Sequence, residues 1–321
     1  MAESGEEVRS IWRCQRESTQ RGPKNTGKRG TPIMNRIEII TDAASDITAA
    51  DEQKYGISIL PFQVSIGSKS YTSRIDFDNE QFYKLMETYD EIPKTSQITP
   101  FEFQELYLRK AEAGITDLIL VLINSKGSAT YDNSQLAINL FFDEHPEYQN
   151  KLRIYSIDGM GYTAMYGAPV IHAAELREKG ATADEITAYL SELLPRRQIY
   201  FGLYSLKYAG KSGRIPTAAA FLGDKLNLKP IMKIFDNGIT TAAKCRGERG
   251  LIPKIAEMSI AEMEPGTPYD IIYGCDSVCR EEMAQVMTER LGYEPERAFQ
   301  IGAVIAANSG PKVAGVSFTH K

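Results

Sequence analysis

The chain has 321 residues, enough for two domains and at least one large buried core. Its 37 Lys and Arg against 42 Asp and Glu leave a net charge of −5, which offers no electrostatic footprint for nucleic acid, and no apolar run approaches the roughly 18 residues that a membrane helix needs, so no integral membrane segment is expected. Four cysteines, at positions 14, 245, 275 and 279, form no disulfide framework in a chain of this length, and the expectation is reduced thiols in a cytoplasmic protein.

Residues 1–33 hold seven basic against four acidic side chains, a local +3 that leaves −8 for the remainder, and show no apolar periodicity. They read as a disordered extension, with the natural start expected at Met34. Residues 35–42 predict a first strand that ends in Thr41-Asp42, followed by a turn and a helix over 48–55. A strand is expected over 57–66, then a turn at Gly67 to Ser70 and a helix capped by Asp78 that runs to about Tyr89. After a polar loop at Lys94-Thr95-Ser96-Gln97, Thr99 is the natural N-cap of a helix with Pro100 at its first position and Glu102 closing a capping box; Gly114 ends it. Leu118 to Ile123 is a near-continuous apolar run, as expected of a strand buried on both faces of a parallel sheet. It gives way to the polar turn Asn124 to Tyr131 and a helix, and a strand over 152–157 leads through Asp158-Gly159-Met160-Gly161 into an alanine-rich helix that ends near Glu178.

The second half begins with a helix capped by Thr182 and Glu185, a strand over 198–204 and a helix near 217–226. Residues 230–235 and 239–244 predict a hairpin that turns on Asp236-Asn237-Gly238. Further elements are a helix from about Arg249 with Pro253 near its start, strands over 269–273, 299–305 and 315–319, and a helix over 280–291, with Asn308-Ser309-Gly310-Pro311-Lys312 as a closing loop. The predicted fold is α/β, with a parallel-sheet α/β domain over 34–178 and a mixed-sheet α+β domain over 179–321. Polar turns after parallel strands gather along one sheet edge, where such folds place ligands.

Several motifs point elsewhere and fail on spacing. Ser205 to Ser212 ends in the Gly-Lys-Ser of a phosphate-binding loop but has Ser205 where the pattern needs glycine. Gly159-Met160-Gly161 has Ala164 in place of the third glycine of a dinucleotide fingerprint, and no Gly-x-Ser-x-Gly elbow occurs. Cys275 and Cys279 with His145, His172 and His320 complete no set of four zinc ligands, so neither metal nor cofactor is expected. The positive feature is the helix start at Thr99. Its unpaired N–H groups and dipole, with the Thr95 and Ser96 hydroxyls just upstream, form a site able to hold an anion, although an ordinary capped helix carries the same signature.

Six elements recur in a recognisable order: Thr41-Asp42-Ala43-Ala44-Ser45-Asp46; Thr95-Ser96-Gln97 before the Pro100 helix; Ser125 to Tyr131; Leu206, Tyr208, Gly213, Arg214 and Ile215; Lys229-Pro230-Ile231; and Ile301, Gly302, Val304, Ile305, Gly310 and Pro311. Together they resemble the DegV family of fatty-acid-binding proteins, the acyl-carrying subunits that work with a bacterial fatty acid kinase. The resemblance implies a long-chain fatty acid enclosed between the two domains, with its carboxylate held near the surface by Thr95, Ser96, Gln97 and Asn308. Gln63, Ser125, Ser128, Ile98, Arg214, Ala219, Phe221 and Ser309 are the further pocket residues it implies. It also implies a separate kinase catalytic subunit as partner and no catalysis by the carrier itself. Two positions depart from the family pattern. Its closing Gly-Thr-His-Thr-Gly-Pro-Gly reads Ala306 to Lys312 here, with Asn308 for the histidine, and a family threonine is Gln63. Asn308 can donate a hydrogen bond but cannot become a cation. Two other readings stay open: an enzyme acting on a small anionic metabolite through Ser96, Ser128 and the basic group Lys244, Arg246 and Arg249, and a regulatory protein with an altered pocket.

Overall fold

In the computed structural model, which describes residues 36–215 and 227–321, the chain opens with strand β1 (Ile37–Asp42). Helix α1 (Ala49–Tyr55) returns it to β2 (Ile57–Leu60), which pairs in parallel with β1. The single strand expected over 57–66 breaks at Pro61, which has no N–H for a ladder; the next amide, Phe62, donates instead to Ser73 Oγ at 2.8 Å. The chain then enters a small antiparallel sheet of β3 (Gln63–Ile66), β4 (Lys69–Thr72) and β5 (Lys94–Ser96), in the order β4-β3-β5, with helix α2 (Asn79–Thr88) between the last two. Residues 94–96, expected as loop, are therefore a strand that pairs with β3. Polar composition hides it, because a three-residue edge strand has too few residues to show an alternation.

Helix α3 (Pro100–Glu112) begins as expected, with the Thr99 and Glu102 capping box formed. Strand β6 (Asp117–Leu122) is buried along its whole length, helix α4 (Thr130–Glu144) follows, and β7 (Arg153–Asp158) completes a four-stranded, wholly parallel sheet in the order β2-β1-β6-β7. Helices α5 (Ala164–Glu178) and α6 (Ala183–Leu193) come next.

The second half is a six-stranded mixed sheet. Its elements are β8 (Arg197–Leu203), helix α7 (Leu206–Ser212), β9 (Leu228–Phe235), β10 (Gly238–Arg246), α8 (Leu251–Glu262), β11 (Tyr269–Tyr273), α9 (Ser277–Leu291), β12 (Arg297–Gln300), α10 (Ala303–Ser309) and β13 (Val313–Thr319). Strand order is β10-β9-β8-β13-β11-β12, antiparallel except for β11 with β12. The β9–β10 hairpin turns on Asp236 and Asn237, both at positive φ, the geometry of a type I′ turn. Gly210-Lys211-Ser212 lies within α7, so its resemblance to a phosphate loop is a helix C-terminus. The strand expected over 299–305 stops at Gln300, and residues 303–309 are helical. Val304 and Ile305 are β-branched, and a short apolar run does not distinguish a strand from a buried helix. Helix α9 starts earlier than expected because Asp276, rather than a later residue, accepts the Val278 amide as its cap. The expected extension over 1–33, the start at Met34 and the helix near 217–226, with Ala219 and Phe221, lie outside the described residues.

Helix α5 joins the two sheets. Ten of its residues, among them Met165, Tyr166, Val170 and Ile171, are buried, and it packs on β1 as well as on β8 and β11. A helix apolar on every side can sit only inside a core. One apolar cluster accordingly runs from Ile39, Leu118 and Leu120 of the parallel sheet through α5 to Ile199, Ile234 and Ile272 of the mixed sheet. A second cluster, around Leu251, Ile255, Met283 and Phe318, covers the far face of the mixed sheet beneath α8 and α9. Among the described residues no helix is long and apolar enough to cross a membrane.

Candidate functional site

A cavity of about 520 Å³ lies where the parallel-sheet half meets the near face of the mixed sheet. One wall is a helical face, for Val304, Ile305 and Asn308 recur at the three- and four-residue spacing that stacks side chains along α10, with Ile301 just ahead of its start. The mixed sheet supplies the floor with Ile199 and Phe201 from β8, Ile234 from β9, Ile239 from β10, Ile272 from β11 and Val313 from β13. Period-2 alternation explains the pairing of Ile199 with Phe201 on one face, and strand register sets Ile234 directly beside Ile199. Phe62 and Ile123 close the apolar part from the other half.

The polar end is built from the turns that follow β6 and β7. Asn124 to Ala129 and Asp158 to Tyr162 are pinned together. Asp158 accepts from Ser125 N and from Ser125 Oγ, the latter at 2.5 Å, and from Met160 N at 2.9 Å, while Asn124 N donates to Gly161 O at 3.1 Å. Lys126, Ala129, Asp132, Gly213 and Arg214 are exposed lining residues here, with Gln97 beside them, so this end opens to solvent.

Two buried carboxyl groups lie behind the cavity lining, one of them at the start of α10. Asp46 Oδ1 accepts the Gly302 amide at 2.8 Å, and burial pushes the Asp46 carboxyl up to about 8. Asp42 accepts from Ile123 N at 2.7 Å and from the Tyr166 hydroxyl at 2.6 Å, and burial pushes it up to about 6. Thr163, whose buried hydroxyl stands by the Asp46 carboxyl and partly offsets its upward shift, lines the cavity from a backbone at φ 49, ψ −132, a conformation that a β-branched residue rarely adopts.

Of the residues implied by the sequence, Thr95, Gln97, Asn308, Ser125, Ser128, Arg214 and Ser309 line this cavity. Ser96, Gln63 and Ile98 do not. Ser96 stands opposite Gln63 across the β3–β5 pairing, both exposed, whereas its neighbour Thr95 faces the cavity. Ile98 is buried in the core. The helix start at Thr99 does not serve as an open anion site, because Glu102 fills it. Its carboxylate accepts from Thr99 N and from Thr99 Oγ1, both at 2.7 Å. Lys244, Arg246 and Arg249 are exposed on or just beyond β10 and are not among the lining residues, so the structure does not gather the Ser96, Ser128 and basic-group site of the enzyme reading.

Several lining donors are already engaged inside the protein. Asn308 Nδ2 donates to Val304 O at 2.8 Å, Ser309 Oγ to Ile305 O at 3.0 Å, and Ser128 Oγ pairs with Thr130 Oγ1 at 2.9 Å. The side chains of Thr95, Gln97, Lys126 and Tyr162 make no hydrogen bond among the described residues, and Arg214 uses one guanidinium nitrogen, Nη1, on Ser212 O at 3.1 Å. Lys126, Asp132, Tyr162 and Thr163 were not singled out by sequence. Their signal was position, in or just after the polar turns at the ends of parallel strands. Among the described residues no three His, Cys, Asp or Glu side chains converge as metal ligands.

The DegV family model, described as an uncharacterised protein of the DegV family, matches residues 36–321. A DegV domain-containing protein of Caldanaerobacter subterraneus is 30% identical over 294 residues, covering 90% of this chain and 100% of its own. Among solved structures, a stearic acid-binding protein from Eubacterium ventriosum shares the fold with a TM-score of 0.79 at 22% identity, covering 90% of this chain and 99% of that one. A DegV family protein from Thermus thermophilus, described by its fatty acid binding, has a TM-score of 0.76 at 25% identity, covering 88% and 99%. The chain belongs to the DegV family.

Proposed function

We propose that this protein binds one long-chain fatty acid in the cavity between its sheets, with the tail among Ile199, Ile234, Ile272 and Ile305 and the carboxylate at the end where Thr95, Gln97, Lys126 and Arg214 stand. The observation that carries this reading is the polarity gradient along a single wall, from Ile301 through Val304 and Ile305 to Asn308, leading to an exposed rim. Such a gradient matches an amphiphile with one charged end. The fatty-acid-binding relatives support it. Each methylene buried contributes up to about 0.8 kcal/mol, so the tail supplies most of the affinity and the rim sets orientation. The same reading makes the protein a cytoplasmic carrier of two α/β halves, 34–178 and 179–321, that presents the exposed carboxylate to a separate fatty acid kinase for acyl-phosphate formation.

The test is a series of saturated fatty acids of increasing length, read as melting temperature against concentration. The expected result is a stabilisation that grows with chain length and is absent for acetate and succinate. Equal stabilisation by the small carboxylates would instead favour a small-anion enzyme. For the presentation step, acyl phosphate should form from ATP and a fatty acid kinase catalytic subunit only when the loaded protein is present. Formation at the same rate without it would remove that role.

A further inference from the structure

Tyr162 occupies the cavity wall at its polar end. Its backbone belongs to the turn held against Asn124 and Ser125 through Asp158 and Gly161, so the ring is carried by one of the better-anchored segments of the rim. The phenol lies across Gly127, and a methyl group at that position would collide with the hydroxyl oxygen. Glycine at 127 is thus what allows Tyr162 to reach this place. The Arg214 guanidinium is near enough to act on the phenol electrostatically, and it lines the same rim.

The hydroxyl makes no hydrogen bond among the described residues, in contrast to those of Ser125, Ser128 and Ser309. Burial pushes the phenol up to about 12, so at neutral pH it is a protonated donor. The Asp158 carboxylate also acts on the phenol but is engaged by Ser125 and Met160, so this half-buried O–H donor, beside the Arg214 guanidinium and on the same rim as Lys126, lacks an acceptor among the described residues, and an anionic one suits that rim. Resting on the fatty-acid reading above, we propose that the Tyr162 hydroxyl donates a hydrogen bond to the ligand carboxylate and makes the cavity selective for a free acid over its neutral ester. Lys126 and Arg214 then supply charge from the rim, while Tyr162 supplies a directional contact on a rigid ring. Asp132, the single acidic lining residue among those described, faces the same opening and works against a second anion.

The experiment titrates oleic acid and methyl oleate into the full chain and into Tyr162→Phe, which keeps the ring and removes only the oxygen. The expected result is about tenfold weaker binding of oleic acid with methyl oleate unchanged, since a hydrogen bond to a charged group is typically worth about one such factor or more. Gly127→Ala, which displaces the phenol, should lose acid selectivity in the same way. Unchanged binding of both ligands by Tyr162→Phe would overturn the assignment, as would equal weakening of both, which would mark the residue as packing alone. A wild-type protein that binds neither ligand would overturn the fatty-acid reading itself, and the role of Tyr162 with it.

Discussion

Asp46 is a carboxyl group held where charge is costly, buried with one oxygen on the Gly302 amide and the Thr163 hydroxyl close by. Its folded pKa of about 8 lies above the 3.8 of an ordinary aspartate, so the folded state holds the proton more tightly than the unfolded chain does. The stability it contributes is therefore fully present below about pH 4 and is lost as pH rises through about 8. Asp42, pushed up to about 6 by burial, acts in the same direction over the lower half of that window. We expect the melting temperature to fall between about pH 4 and pH 8 and to level off above that, and Asp46→Asn, which keeps an acceptor for Gly302, to flatten that fall. Parallel curves for the two proteins would show that Asp46 is not the responsible group. At the rim, Ser96→Ala should change stability and fatty acid affinity by no more than about 0.5 kcal/mol, because Ser96 is exposed on the face of β5 away from the cavity. Thr95→Val should weaken fatty acid binding by about 1 kcal/mol in calorimetric titration, and the reverse ranking would place the head group on the other face. The sequence pointed to the short stretch, and within it Thr95 and Gln97 line the cavity while Ser96 does not. The difference between Thr95 and Ser96 is set by pairing with β3, and β3 is separated from β5 by a helix.

Elements with strong local signals were legible. β6 is a run of apolar residues buried on both faces, and the caps expected at Asp78, Thr99 and Thr182 all form, the first closing a box with Gln81 as well. What was not legible depended on partners distant in sequence. The break at Pro61 creates a separate sheet only because Ser73 and β5 are there to receive the chain. Val304 and Ile305 are helical because one side of α10 faces the cavity while the rest packs near α7 and α2. Helix α5 shows how close such packing is. At Gly167 the helix passes against the Ser45 carbonyl and the Phe299 ring, leaving no room for a Cβ. Gly167→Ala should therefore cost about 1–3 kcal/mol in denaturant unfolding despite alanine's better helix propensity. A stabilised variant would mean that the two sheets can separate locally to admit a methyl group.

At the scale of the whole molecule, two sheets of different construction share one core, and the cavity lies along their junction. The mixed sheet carries a buried polar group of its own, in which Arg197 donates to Asp270 at 2.6 Å and to Ser317 Oγ at 2.7 Å. Asp270→Ala would leave that guanidinium buried without its counter-charge and should destabilise the fold by about 3–5 kcal/mol in denaturant unfolding. A loss below 1 kcal/mol would show that water reaches Arg197. The α/β class and the split into a parallel and a mixed sheet follow from the alternation of elements, whereas the cavity does not, since its walls come from β8, β9, β10, β11, β13 and α10 and meet only in the folded chain. The measurement that tests the central claim most directly is mass spectrometry of the organic extract from protein expressed in bacteria and purified under native conditions. The account predicts close to one long-chain fatty acid per chain. Protein that is empty and takes up no added fatty acid would contradict it.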